Sequence, residues 1–220
     1  MISRITSKGS VACIIVLLIL IIDQIIKIEV KTNMYLHESI HITDWFYIYF
    51  IENEGMAYGM TFINKLVLTL FRIVAVVIIG YYLILQIRKD VSWGYIICIV
   101  LVLAGAAGNI IDCLCYGQIF EASTNSSIAD FVAWGEGYAP IFYGKVVDMF
   151  YFPIIDTNLP DWLPIWGGEH FIFFSPIFNF ADSCISVGVV LLLLFFRKEL
   201  SNISFTQNTD TENETEVAKQ

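Results

Sequence analysis

Residues 175–196 read SPIFNFADSCISVGVVLLLLFF, an apolar run of membrane-crossing length that carries Asn179 and Asp182 near its start. A carboxylate in hydrocarbon costs at least ~2.5 kcal/mol on the most lenient scale. Either the run is not a membrane helix, or its Asp182 faces the inside of a bundle. The rest of the chain decides for the bundle. Of 220 residues, 57% are hydrophobic and 15% charged, too apolar for an ordinary soluble domain. Three further runs, at about 11–30, 66–87 and 95–115, share with 177–196 the ~20 residues that span a bilayer core. The expected fold class is an α-helical integral membrane protein with four transmembrane helices in one domain, 1–200.

Basic residues close to helix ends favour the cytoplasmic side. Arg4 and Lys8 precede the first run, Arg88 and Lys89 fill the short second connection, and Arg197 and Lys198 follow the fourth run. Both termini are therefore expected in the cytoplasm, and the longer connections, 31–65 and 116–176, outside. The first of these contains ESIHITDWFYIYFIENEGMAYGM (38–60), whose β-branched and aromatic residues ahead of a glycine turn predict strands and a small β-rich extracytoplasmic region. The second carries Pro140, Pro153, Pro160 and Pro164 without periodicity and reads as loops with short strands or one short helix. Its aromatics, in DWLPIW (161–166) and FIFF (171–174), are expected to rest on the bilayer or to cover a site.

Residues 201–220 are polar, acidic and non-periodic, as in a disordered cytoplasmic tail without a catalytic role. The first apolar run lacks a small-residue cleavage site and reads as an uncleaved helix. SVAC, ending at Cys13, is no lipidation box, because the apolar run follows the cysteine instead of preceding it. All five cysteines lie in or at the ends of hydrophobic runs and read as packing residues. His37, His41 and His170 have no ligand spacing, so no metal or cofactor is expected. Much of the negative charge, net −9, sits in the tail and the outer segments, which argues against nucleic acid as a partner.

Several polar residues sit at unexpected depth. Asp23 and Lys27, four apart, share a helix face and can pair; one reading is a lysine snorkelling to the interface beside its carboxylate. LAGAAGNIIDCLCYG (103–117) joins small residues that allow close helix approach to Asn109 and Asp112, three apart on one face. Asn179 and Asp182 repeat that spacing, and YGKVVDMFYF (143–152) sets Asp148 among apolar neighbours. Arg72 either snorkels outward or pairs with an aspartate. Ionisable groups at membrane depth mark a pathway or a site, and two classes stay open. In an aspartyl hydrolase two nearby carboxylates share a proton, one activating water and one polarising a carbonyl. In a small transporter or ion pathway they would carry a proton or cation, although the nearly all-apolar inner halves of three runs argue against a through-path. Neither a G-x-S-x-G elbow, an H-E-x-x-H pair, a Walker loop nor a nucleotide fingerprint is present.

DQIIK (23–27), NEGMAYG (53–59), AGAAGNIID (104–112), VVDMFYF (146–152) and FNFADSCI (178–185) resemble, in order, the motifs of the lipoprotein signal peptidases, bacterial signal peptidase II. The resemblance covers roughly 11–197. It implies an aspartyl endopeptidase of the bacterial cytoplasmic (inner) membrane that removes the signal peptide from diacylglyceryl-modified prolipoproteins, cutting before the lipidated cysteine. No metal and no covalent intermediate are implied. The catalytic pair would be Asp148 and Asp182, near the extracytoplasmic face. Asn53, Gly55, Asn109, Asp112 and Asn179 would line or support the substrate pocket, with Asp23, Lys27 and Arg72 supporting. Substrate and membrane lipid would be the partners of a monomer. Two departures stand out: Cys113 occupies the place where the family carries an arginine, for which Arg72 or Lys145 could substitute, and the stretches flanking Asp148 are long, as in an enlarged outer lid. These departures leave room for a noncatalytic member of the family.

Overall fold

The computed structural model describes residues 2–54 and 64–201. Among them, three helices are long and apolar enough to cross a membrane: residues Ser7–Asn33 of α1 (Ile2–Asn33), all of α2 (Lys65–Arg88), and Trp93–Ile119. The last begins as α3 (Trp93–Ile111), widens into a π-helical turn (Asp112–Tyr116) and closes with the single turn α4 (Gly117–Ile119). The helix thus outruns the expected end near 115. A fourth apolar helix, α5 (Phe180–Phe195), is shorter, with 16 residues, and the five-residue α6 (Arg197–Ser201) follows it. The chain is therefore an integral membrane protein with some sheet.

The sheet forms where β-branched and aromatic residues alternate. β1 (Ser39–Thr43), β2 (Phe46–Asn53), β3 (Val146–Tyr151) and β6 (Ile177–Phe178) pair antiparallel in the order β1-β2-β3-β6. A separate hairpin, β4 (Ile155–Asn158) and β5 (His170–Phe173), is inserted between β3 and β6. Ile177 and Phe178, expected to be helical, instead pair with Tyr151 and Phe150. The helix starts only after Asn179, whose side chain caps it.

Two joints position the site. α3 and α5 meet through small residues: a Cβ at Gly105 would run into the Ala181 carbonyl oxygen and Ile185, and one at Gly188 would come within 2.8 Å of the Cys98 carbonyl oxygen. This close approach is the usual way apolar helices associate in lipid. Val30 and Met34, near the end of α1, share a second core with Phe50 of β2, Val147 and Met149 of β3, and Tyr116 and Phe120 beyond α3, so the sheet is fastened onto the helix ends.

Candidate active site

Asn179 stands at the centre. As the N-cap of α5 its Oδ1 accepts from the Asp182 amide (2.9 Å), while the Asp182 carboxylate accepts from the Asn179 amide (3.3 Å). That reciprocal pair is a capping box, which satisfies helix amides that would otherwise be orphaned. It also fixes Asp182 in the first turn of α5, where the free amides favour negative charge. The Asn179 Nδ2 is left to donate to Asp148 Oδ1 (2.6 Å) and Asn109 Oδ1 (3.1 Å). One buried amide thus joins the two aspartates that the sequence places 34 residues apart (182 minus 148).

Asp148 lies on β3 opposite Ile51 and is 1% exposed. Its second oxygen accepts from Asn53 Nδ2 (3.0 Å), at the end of β2. Burial, then the nearby Asp182 charge, push the Asp148 carboxyl up to about 7, against the opposing pull of the two asparagine amides. Asp182 is only partly buried and accepts from Asn109 Nδ2 (2.8 Å). The pair therefore has a dry member and a member that water can reach.

Behind it lies a charged layer. Lys27 Nζ reaches Asp23 (2.9 Å), Asp112 (2.9 Å) and Asn109 Oδ1 (2.8 Å). It is 0% exposed, so it does not snorkel to the interface. An ammonium only donates; its contact holds the Asn109 oxygen towards Lys27 and the NH2 towards Asp182. Asp23 accepts from the Ala181 amide in the first turn of α5 (3.0 Å). Asp112 accepts from Gln24 (2.9 Å) and the Val147 amide (3.4 Å); it is fully buried and supports β3 from behind.

A second polar layer escapes sequence reading. Lys31 pairs with Glu52 (2.5 Å) and contacts Ser123 (3.0 Å), and Lys145 reaches the other Glu52 oxygen (3.2 Å). Burial alone would raise the Glu52 carboxyl, but Lys31 and then Lys145 hold it below the usual carboxylate range. Glu52 pairs in register with Val147 and precedes Asn53, so the pair anchors the strand end that delivers Asn53 to Asp148. The available signal was spacing, since Lys31 follows Lys27 by four and lies on the same face.

Of the two candidate substitutes for the missing arginine, Lys145 is held by Glu52, whereas Arg72 Nη1 reaches Cys113 Sγ (3.7 Å). Gly55 lies outside the described residues. Among the described residues no group of three or more His, Cys, Asp or Glu side chains could hold a metal ion.

The fold defines the class as an integral membrane protein. The family model described as Signal peptidase (SPase) II matches residues 15–197. The lipoprotein signal peptidase of Porphyromonas gingivalis is 47% identical over 210 residues, covering 95% of this chain and 92% of that protein. That of Amoebophilus asiaticus is 34% identical, covering 90% and 84%. A bacterial membrane enzyme solved by the in meso method has a TM-score of 0.57 at 24% identity, covering 90% of this chain and 94% of its own, a likeness of fold. The chain belongs to the signal peptidase II family, and is a membrane protease.

Proposed function

We propose that this protein removes signal peptides from prolipoproteins, cutting before a diacylglyceryl-modified cysteine, with Asp148 and Asp182 as its catalytic pair. The observation that carries this reading is the Asn179 bridge: its amide donates to Asp148 (2.6 Å) while its own helix turn holds Asp182 (2.9 Å). Asp148, dry and raised to about 7, keeps the shared proton and donates it to the scissile carbonyl oxygen. Asp182, nearer to solvent, takes a proton from the water that attacks the carbonyl carbon and gives it to the leaving amine as the C–N bond breaks. Asp148 meanwhile takes back a proton from a hydroxyl of the collapsing diol, which restores the carbonyl of the new carboxyl group and returns the pair to its starting state. The pair titrates as a unit.

The helices cross the inner membrane of a bacterium, α5 being the fourth crossing: 16 residues reach ~24 Å of the ~30 Å core. Both termini are cytoplasmic, the site is near the extracytoplasmic face, and the enzyme works as a monomer on substrate held laterally by its lipid. Anchoring by the lipid supplies the positioning that the chemistry needs.

The purified protein in lipid nanodiscs, given a lipidated prolipoprotein and the unlipidated precursor, should cut only the former. Asp148→Asn and Asp182→Asn should each lower turnover by at least ~100-fold, the scale of a lost general acid or base. Turnover retained in both variants would remove the pair from the mechanism.

A further inference from the structure

The β4–β5 hairpin is built with two unlike faces. Its register pairs Ile155 with Phe173 and Thr157 with Phe171 on one face, and Asp156 with Ile172 and Asn158 with His170 on the other. On the polar face His170 Nε2 meets Asp156 Oδ1 (2.6 Å). On the apolar face Ile155, Phe171 and Phe173 stand exposed. The connecting loop continues that surface, with Trp162 79%, Ile165 85% and Trp166 56% exposed. An isolated two-stranded hairpin is marginal in water, so an uncovered apolar face of this kind calls for an apolar phase.

That phase is at hand. Both ends of the hairpin are rooted at Phe152, whose carbonyl accepts from Ile154 (2.8 Å) and Phe174 (3.3 Å). β6 follows the hairpin, and α5 begins at Phe180, directly after the Asn179 cap. The root therefore lies close to the start of α5, an apolar helix whose Val187, Val190, Leu193 and Leu194 stand exposed. An aromatic track joins the two: Phe174 to Phe178 (6.0 Å), Phe178 to Phe152 (5.6 Å) and Phe152 to Trp45 (6.1 Å). No lysine or arginine lies between Lys145 and Arg197, and Asp156, Asp161 and Glu169 make the hairpin acidic, so attraction to anionic headgroups is not what seats it.

We propose that the hairpin lies on the bilayer, its Ile155–Phe171–Phe173 face and Trp162–Trp166 tip seated in the headgroup layer of the leaflet where α5 begins. Tryptophan favours that layer because its apolar ring and polar N–H are both satisfied there. The contact steadies the sheet that carries Asp148 at the surface of the membrane.

The test reads fluorescence, not activity, so it stands apart from the catalytic assignment. The full chain with Trp45, Trp93 and Trp134 changed to Phe leaves Trp162 and Trp166 as reporters. It is reconstituted into phosphatidylcholine nanodiscs with and without bromine on the upper acyl chain. Should that variant fold poorly, the Trp162→Phe/Trp166→Phe protein is subtracted from wild type under the same conditions. The two tryptophans should emit at short wavelength and lose most of that emission to bromine, in pure phosphatidylcholine and unchanged at ~1 M salt, where charge attraction is screened beyond about 3 Å. Water-like emission untouched by bromine would overturn the proposal. So would quenching that appears only once a lipidated precursor is added, since the hairpin would then cover substrate instead of lipid.

Discussion

Every polar atom of the Asn179 side chain and its backbone amide has a partner at the site: Oδ1 takes the Asp182 amide, Nδ2 serves Asp148 and Asn109, and the backbone N–H serves Asp182. Asparagine suits this because it offers both donors and an acceptor without a charge. A consequence follows for Asp148. Its carboxyl is raised from the ordinary 3.8 to about 7, chiefly by burial, so the folded protein binds this proton more tightly than the unfolded chain. Between pH ~4 and ~7 the group therefore contributes stability that falls as pH rises, and above ~7 the loss is complete. Asp148→Asn, which cannot ionise, should melt in detergent with a flatter pH profile than wild type, though inactive. Parallel profiles would show that Asp148 does not titrate in this window. Asp182, Asn179 and Asn109 were legible because a polar residue inside an apolar run is conspicuous. Glu52 and Lys31 were not, since charges at the end of a strand or a helix resemble ordinary interfacial residues.

At the scale of elements, the distance between Asn109 and Asp182 is the distance between α3 and α5, and small residues set it. A Cβ at Gly105 would meet the Ala181 carbonyl oxygen and come within 2.7 Å of Ile185, whereas a Cβ at Gly80 would meet only Leu103 at 3.8 Å. Gly105→Ala should therefore push the first turn of α5 away from α3, costing about 1–3 kcal/mol as overpacking does and lowering peptidase turnover. Gly80→Ala should be neutral or stabilising. Melting and cleavage measured side by side decide it; a harmless Gly105→Ala would mean that the helices can slide apart without disturbing the site. The helices were legible from apolar length, and the small-residue stripe of α3 from composition. The start of α5 was not, because Ile177 and Phe178 are as apolar as a helix would be and only their pairing with β3 reveals a strand. The π-helical turn at Asp112–Tyr116 leaves no periodic trace over five residues.

Across the whole molecule, a single buried cation holds the parts in register. Lys27 on α1 binds Asp23 on its own helix and Asp112 and Asn109 at the end of α3. Asp23 takes the Ala181 amide of α5 and Asp112 the Val147 amide of β3. Four elements thus converge on one ammonium, and the Asp23–Ala181 contact closes a separation of 158 residues. Sequence motifs named these residues separately; nothing in their spacing could join partners so far apart. The layer holds two carboxylates and one ammonium, and this inequality ranks the variants. Lys27→Met leaves both carboxylates buried without a counter-ion, and loss of one partner of a buried pair costs about 3–5 kcal/mol. Asp112→Asn leaves a one-to-one Asp23–Lys27 pair, and its amide can still accept from Val147, so the cost should be clearly smaller. Thermal unfolding of both variants in one detergent tests the order. If Asp112→Asn were as damaging as Lys27→Met, the ammonium would not be the keystone, and the hold of Asp112 on β3 would carry the assembly instead.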